Sequence, residues 1–528
     1  MSRGFREVAC GGRELAAIAR RQSYHSTIHN SRIAMRLQQS LVVRPPVSSY
    51  STRELEDKVT PRIIWRATQT RVMVVLAALL MVVRFSDAAH ARPPEPPAVP
   101  GSVAVGQSIT CQPTSTPRPQ PILPKGFTER VMYSGCLNQP TAISFNSSQT
   151  RVFVAEKGGR IWNCDLSTPT CTLIADLSSE VCNDGDRGLL GLAVDPLNDG
   201  KIYVLYTTPP ATGACSGNVV THGQLSLLTA SGAGTGETKI LPPAGSGNQT
   251  WCFFYGSHSI GGLVFGSDNR TLYVSAGDGA SFDQVDYGQL DTACGDRTNL
   301  PQGAFRSQGV SPYSDGAILR ITNPGTTTQS VAVVAQGLRN PFRFARLPGT
   351  DELYIGNVGW NSWEAIDHVT VAGQDFGWPC YEGWSPSNNF AAAPEPDYQN
   401  TGYCGKFVGA TAPFFAYAHT SYVSVDDSHG KTCGAKPSGG GPDQNGSVIS
   451  AIGFTDDTST TYPAQFKNAL YFGDLLRQCI WTMQPPNNVP QTFAKGLPGG
   501  PVDLKAGQDG DLFYADLVTS TIRRITHK

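Results

Sequence analysis

The chain has 528 residues, of which 40% are apolar and 16% charged, with 56 glycines, 38 prolines and 13 cysteines. This balance supports a large core and many turns, and it excludes a chain disordered as a whole, a coiled coil or a polytopic membrane protein. The net charge of −1 hides an asymmetry, because residues 1–71 hold 13 Lys/Arg against 5 Asp/Glu; the acidic remainder gives nucleic-acid backbones nothing to approach.

The first recognisable segment is residues 72–83, VMVVLAALLMVV, preceded by Arg71 and followed by Ala89-His90-Ala91, a small-residue pattern of the kind signal peptidases cut. As a helix it would reach only about 18 Å, against about 30 Å of hydrocarbon core, so no stable membrane span is expected. The segment reads as a secretory signal, and the protein as exported. The long basic stretch before it leaves a signal anchor or organellar address as the alternative. Residues 1–91 are therefore set apart as a leader. Residues 92–124, with RPPEPPAVP and TSTPRPQPILP, read as an extended Pro-rich linker, and residues 125–528 as the folded domain.

Beyond the leader an even set of twelve cysteines remains, with no CxxC pair. Zinc lacks its usual spacing, and disulfides fit an exported chain better. Cys164 with Cys171 and Cys380 with Cys404 are plausible local pairs, and spacing leaves the others open. Sequons at Asn146, Asn248, Asn269 and Asn445 are compatible with a glycosylated surface.

From residue 125 onward one theme recurs: an apolar strand, a turn, then an apolar-aromatic strand. Six copies are visible: AISFNSSQTRVFVAEKGGRIW from Ala142, LLGLAVDPLNDGKIYVLYT from Leu189, GGLVFGSDNRTLYVSAGDG from Gly261, FRFARLPGTDELYIGNVG from Phe342, ISAIGF with YPAQFKNALYFGD ending at Asp474, and VDLKAGQDGDLFYAD from Val502. Turns such as Asn-Asp-Gly before Lys201 and Ser-Asp-Asn before Arg270 supply positive φ or side-chain capping. Small sheets stacked around an axis bury both faces against their neighbours, so the expectation is an all-β, six-bladed β-propeller. A β-sandwich is the alternative. The long insertions before Gly261, between Gly277 and Phe342, and between Gly359 and Ile449 should gather on one face and carry the site.

Three clusters hold candidate chemistry. His258, in YGSHSIGGLVFG, precedes a blade strand and is suited to general-base work near neutral pH, or else caps the strand. In GLRNPFR, Pro341 restricts Asn340 and fixes polar side chains at a loop-to-strand corner, where Arg339 would pair with an anion or bond loop carbonyls. In NVGWNSWEAIDHVTVAGQDFGWPCYEG, Gly359 permits a turn whose carbonyls suit calcium, Glu364 and Asp367 add charge or cap the turn, and Trp360, Trp363 and Trp378 stack on a ligand or pack between blades. Asp278, Asp283, Asp286 and Asp291 form an acidic loop, either a calcium site or simply solvated.

Taken in order, GDRGLLGLAVDP, SHSIGGLVFG with LYVSAGDG, SDGAILRI, GLRNPFR, and NVGWNSWEAID with GQDFGWPCYEG resemble the glucose/sorbosone dehydrogenase family over roughly residues 126–526. These are six-bladed quinoprotein sugar dehydrogenases with hedgehog-interacting-protein-like relatives. The resemblance implies that His258 is the catalytic base for a sugar hydroxyl while hydride passes to pyrroloquinoline quinone. It further implies that Arg339 acts in catalysis and, with Asn340 and Trp360, lines the quinone, and that carbonyls of Gly359 and Trp360 hold calcium. Asp186 and Ser257 fall at substrate-facing positions, replacing a Gln and an acidic residue. Thr455 stands where the soluble glucose dehydrogenases place a Lys, and Pro501 and Asp503 where they place an Arg-x-Arg pair, so contacts to the quinone carboxylates are missing.

The expected function is therefore an exported, calcium-assisted quinoprotein oxidising an aldose or related polyol, with a small-molecule sugar as partner and an electron acceptor left unnamed. The alternatives are a non-catalytic propeller binding a glycan or protein, as in the hedgehog-interacting-protein branch, and a calcium-dependent lactone hydrolase.

Overall fold

The computed structural model describes residues 103–528 apart from 113–119, 232–233, 244–248, 291–292, 295–301, 311–312, 386–387, 407–409, 429–432 and 434–445. The signal-like segment 72–83, the rest of the leader, Asn248, Asn445 and Asp291 lie outside the described residues.

Each of the six sequence repeats forms the first two strands of a four-stranded antiparallel blade. The innermost strands are Pro140–Phe145, Leu189–Asp195, Ile260–Phe265, Arg343–Arg346, Ile449–Phe454 and Pro501–Ala506. Each packs against the next, and the last packs against the first, so the ring closes. The chain forms a six-bladed β-propeller, as the repeat predicts. Closure uses both ends of the domain: Phe127–Tyr133 is the outer strand of blade six and pairs antiparallel with Thr521–His527, with Phe127 opposite His527. Within the Pro-rich lead-in, Ser108–Thr110 adds a fifth strand to blade one beside Thr170–Asp176.

The turns behave as their residues dictate. Asn269 takes φ +55°, while Asp268 Oδ1 accepts from the amides of Arg270 at 2.9 Å and Thr271 at 2.8 Å. Alternation in the strands places apolar side chains on both blade faces, and apolar clusters fill every gap between successive blades. One joins Ile161 and Val204, another Tyr354 and Trp481, and the closing one Trp162 and Phe513. Each such large side chain contributes roughly 1.5–3 kcal/mol on burial.

The long insertions gather on one face, where a smaller core of Ala280, Phe305, Trp378, Cys380, Tyr398 and Cys404 packs over blades three and four. All twelve cysteines of the domain are paired: Cys111–Cys136, Cys164–Cys171, Cys182–Cys215, Cys252–Cys294, Cys380–Cys404 and Cys433–Cys479. The two local pairs read from spacing are among them. Among the described residues, no helix is long and apolar enough to cross a membrane.

Candidate active site

The site is built where the inner strands begin. His258 lies two residues before the inner strand of blade three and holds φ +49°, a conformation that costs a non-glycine residue on the order of 1 kcal/mol or more and needs support from its surroundings. Gly277 provides the room: a Cβ there would lie 2.5 Å from the His258 carbonyl oxygen and 3.0 Å from Asn340 Oδ1. The imidazole is buried, and its Nδ1 meets Asp278 Oδ1 at 2.8 Å. With the carboxylate accepting from Nδ1–H, Nε2 is left as the basic nitrogen.

Asp278 corrects the sequence reading. It is not a solvated acid, being fully buried. It follows the second strand of blade three by two residues, just as His258 precedes the first by two. Its Oδ1 also accepts from the Ala280 amide at 3.0 Å, and its Oδ2 from the Trp378 indole at 2.7 Å. Burial pushes the carboxyl up, but the His258 and Arg339 charges outweigh it and hold the group below the ordinary carboxylate range. The position before His258 is Ser257, so the acidic partner comes from the neighbouring strand instead. Asp286, from the same acidic stretch, is also buried and caps its own turn, accepting from the amides of Ser281 at 3.1 Å and Gly288 at 3.0 Å.

Arg339 and Asn340 arrive beside this pair. The Asn357 side-chain oxygen accepts from both their backbone amides at 3.1 Å, which fixes the corner that Pro341 begins. Arg339 Nη1 donates to the carbonyls of Gly359 at 2.6 Å and Val358 at 3.3 Å, so it bonds loop carbonyls as one of the two sequence readings has it. Its charge also lies over the Trp378 ring, 5.6 Å from the centroid. Glycine is required at 359 because a Cβ would fall 1.5 Å from the Trp363 carbonyl oxygen. The Trp360 amide donates to Glu382, and its indole to the Phe282 carbonyl at 2.8 Å.

Glu364 and Asp367 turn inward as buried groups. Glu364 accepts from the Gly359 amide at 3.3 Å and the Ile449 amide at 3.0 Å, and meets His419 Nε2 at 2.8 Å. Asp367 accepts from Asn357 Nδ2 at 2.9 Å, and burial pushes its carboxyl up to about 7. Of the three tryptophans, Trp378 is buried in the insertion core, and Trp360 and Trp363 are half-buried.

The remaining candidates are dispersed: Asp186 and Ser257 flank the start of the blade-three inner strand, Thr455 follows the far end of the inner strand Ile449–Phe454, and Asp503 lies within the ring. Asp186 is exposed; its amide donates to the Gly256 carbonyl at 2.8 Å and its carbonyl accepts from Ser259 Oγ at 2.9 Å. Ser257 is buried, with Oγ 3.5 Å from the Ala280 carbonyl oxygen. Thr455 is buried and donates to the Phe466 carbonyl at 2.8 Å, and Asp503 accepts from the Ile143 amide at 2.9 Å, so neither position supplies a cation.

The family model for glucose/sorbosone dehydrogenases matches residues 137–428, more than half of the chain, and the protein belongs to that family. A Trichoderma reesei carbohydrate-active enzyme of family AA12, in a calcium structure, has 12% identity and TM-score 0.51, covering 80% of this chain and 100% of its own. A crystal structure of a glucose dehydrogenase has 17% identity and TM-score 0.50, covering 76% and 100%. The PQQ-bound aldose sugar dehydrogenase of Streptomyces coelicolor has 15% identity and TM-score 0.48, covering 77% and 100%. At such identities the likeness is one of fold. No curated protein matches the chain by sequence.

Proposed function

We propose that this propeller is an exported oxidoreductase that oxidises an aldose or related polyol, with His258 Nε2 as the base that takes the hydroxyl proton. The observation that carries the reading is the buried His258–Asp278 pair, 2.8 Å apart at the start of an inner strand, in a chain of the sugar dehydrogenase family. Asp278 fixes the imidazole tautomer and stabilises the cation formed on proton uptake. Arg339 and Asn340 orient the electron-accepting partner, and Asp186 lies on the sugar side of the rim.

The family implies pyrroloquinoline quinone and calcium; a base, a guanidinium and an amide suit the quinone's reactive end, and the carbonyls of Gly359 and Trp360 would hold calcium once Arg339 Nη1 gives up the Gly359 oxygen it reaches at 2.6 Å. When bound, the quinone is the hydride acceptor and calcium stabilises the charge it gains. Export accords with six disulfides in one domain.

A second reading, a non-catalytic propeller that binds a glycan or protein, is favoured by Thr455, Pro501 and Asp503, which leave the quinone carboxylates without partners. The deciding experiment reconstitutes the purified protein with calcium and the quinone and follows dye reduction across a panel of sugars, beside His258→Ala. Turnover that His258→Ala abolishes supports the oxidoreductase; absence of both quinone binding and turnover overturns it in favour of the binder.

A further inference from the structure

We propose that Trp378 is a positioning residue for the base: its indole N–H locks the Asp278 carboxylate, and through it the tautomer and orientation of His258. The inference rests on the oxidoreductase reading and extends it to a residue of a long insertion, just after the short strand Gln374–Asp375 that joins the edge of blade three. Asp278 has two oxygens and both are engaged. His258 Nδ1 and the Ala280 amide take Oδ1, and among the described residues the Trp378 indole alone reaches Oδ2, at 2.7 Å. Without that donor, a buried carboxylate oxygen has no partner and the group is released to turn about its own bond.

The indole is itself fixed from several directions. The Trp378 amide donates to the Gly337 carbonyl at 2.9 Å, and the Trp378 carbonyl accepts from Ser307 Oγ and Gln308 Nε2, each at 2.8 Å. The Cys380–Cys404 disulfide closes the loop just beyond it, and the Tyr398 ring packs edge-on at 5.2 Å between centroids. Its edge therefore holds the acid while its face carries the Arg339 charge, so one side chain ties together the base's partner and the guanidinium of the neighbouring corner. The charged groups around Asp278 are His258, Arg339, Arg306, Asp286 and Asp315, with the Tyr398 phenol beside them. The Trp378 indole is an uncharged side-chain donor, and removing its N–H leaves every charge in place.

Trp378→Phe keeps the aromatic packing and deletes the N–H. In cofactor-free protein, nitrogen NMR of the His258 ring should change from the single tautomer protonated at Nδ1 to a mixture. In reconstituted enzyme, kcat should fall on the order of 10- to 100-fold, with the sugar KM little changed. The acid limb of kcat/KM should move to higher pH, because an Asp278 stripped of one donor holds a proton on the imidazole more strongly. In the unsubstituted protein, the Trp378 indole resonance should exchange slowly with solvent and should move as His258 gains a proton, a measurement that does not need the variant to fold. A folded Trp378→Phe with an unaltered tautomer and pH profile overturns the proposal, as does an indole proton that exchanges like a surface tryptophan. If the unsubstituted protein oxidises no sugar, the oxidoreductase reading fails, while the tautomer and exchange measurements still decide whether Trp378 holds the pair.

Discussion

Arg343 and Asp503 face each other at the centre of the ring, buried, with Nε 3.9 Å from Oδ1. Arg343 leads the inner strand of blade four, yet its guanidinium donates to the carbonyls of Val502 in blade six at 2.8 Å and Thr141 in blade one at 2.7 Å. A single side chain thus pins three blades across the axis. Burial pushes the Arg343 guanidinium down to about 10, with Asp503 opposing the shift. The Asp503 carboxylate is committed within the ring, to Arg343, to Lys505 at 3.6 Å and to the Ile143 amide.

Arg343→Met should therefore cost about 2–4 kcal/mol of unfolding free energy, since it takes the only cross-ring donor from two buried carbonyls and leaves Asp503 to Lys505 and the Ile143 amide. Denaturant unfolding measures it. Adding Asp503→Leu should recover only part of the loss, because the Ile143 amide then loses its acceptor. A cost below about 1 kcal/mol for the single variant, in the range of an exposed ion pair, contradicts the pin.

Asp278→Asn should lower kcat on the order of 10²- to 10⁴-fold with the fold intact. The amide can present N–H to the imidazole, which would leave the proton on Nε2 and remove the base. Steady-state kinetics with circular dichroism checks both halves. Retention of more than about a tenth of the activity is incompatible with the pair as the proton-taking unit.

Much of this architecture is written in the sequence, and the parts that are not have a physical reason. The inner strand pairs were legible because each repeat is local: Ile260–Phe265 and its partner Thr271–Ala276 are joined by a short turn. The His258–Asp278 contact was legible in principle as well. Ile260 pairs with Ala276, and stepping two residues outward along both strands brings His258 opposite Asp278. The acids that follow at 283 and 286 give the stretch the look of a loop and mask that register. By contrast, Phe127–Tyr133 completes a sheet with the far end of the chain, and Trp378 reaches Asp278 from 100 residues further along; no local spacing encodes either. The inward turn of Arg343 was hidden for the same reason, because its partners at Thr141 and Val502 are adjacent only once the ring has closed.

Glu156 gives a pH dependence with a definite sign. The carboxyl is buried, accepts from the Asn138 amide at 2.7 Å, and is pushed up to about 7, chiefly by burial. A carboxyl raised above its unfolded value of about 4.3 contributes its stability fully below that value and loses it as pH rises through the folded one. Between pH 4.5 and 7.5 the protein should lose about 2–3 kcal/mol from this group, and Glu156→Gln should flatten that part of the profile. Thermal melts of both proteins across the range test it. A parallel slope in the variant would place the titration elsewhere.

Gly277→Ala is the sharpest probe of how the fold holds its base. A methyl there meets the His258 carbonyl oxygen at 2.5 Å and Asn340 Oδ1 at 3.0 Å, and backbone cannot yield as a flexible side-chain tip does. The two residues it separates are the base and the amide proposed to orient its electron-accepting partner. The expected result is a loss of about 1–3 kcal/mol in stability with a disproportionate loss of turnover, since a displacement of a few tenths of an ångström leaves a propeller blade intact but misaligns a proton transfer. Gly402→Ala is the control: its φ of +75° carries strain, yet nothing lies within 4 Å of the added atom. It should reduce stability without touching kcat, and equal effects of the two variants on kcat would mean that crowding at His258 is not what Gly277 prevents.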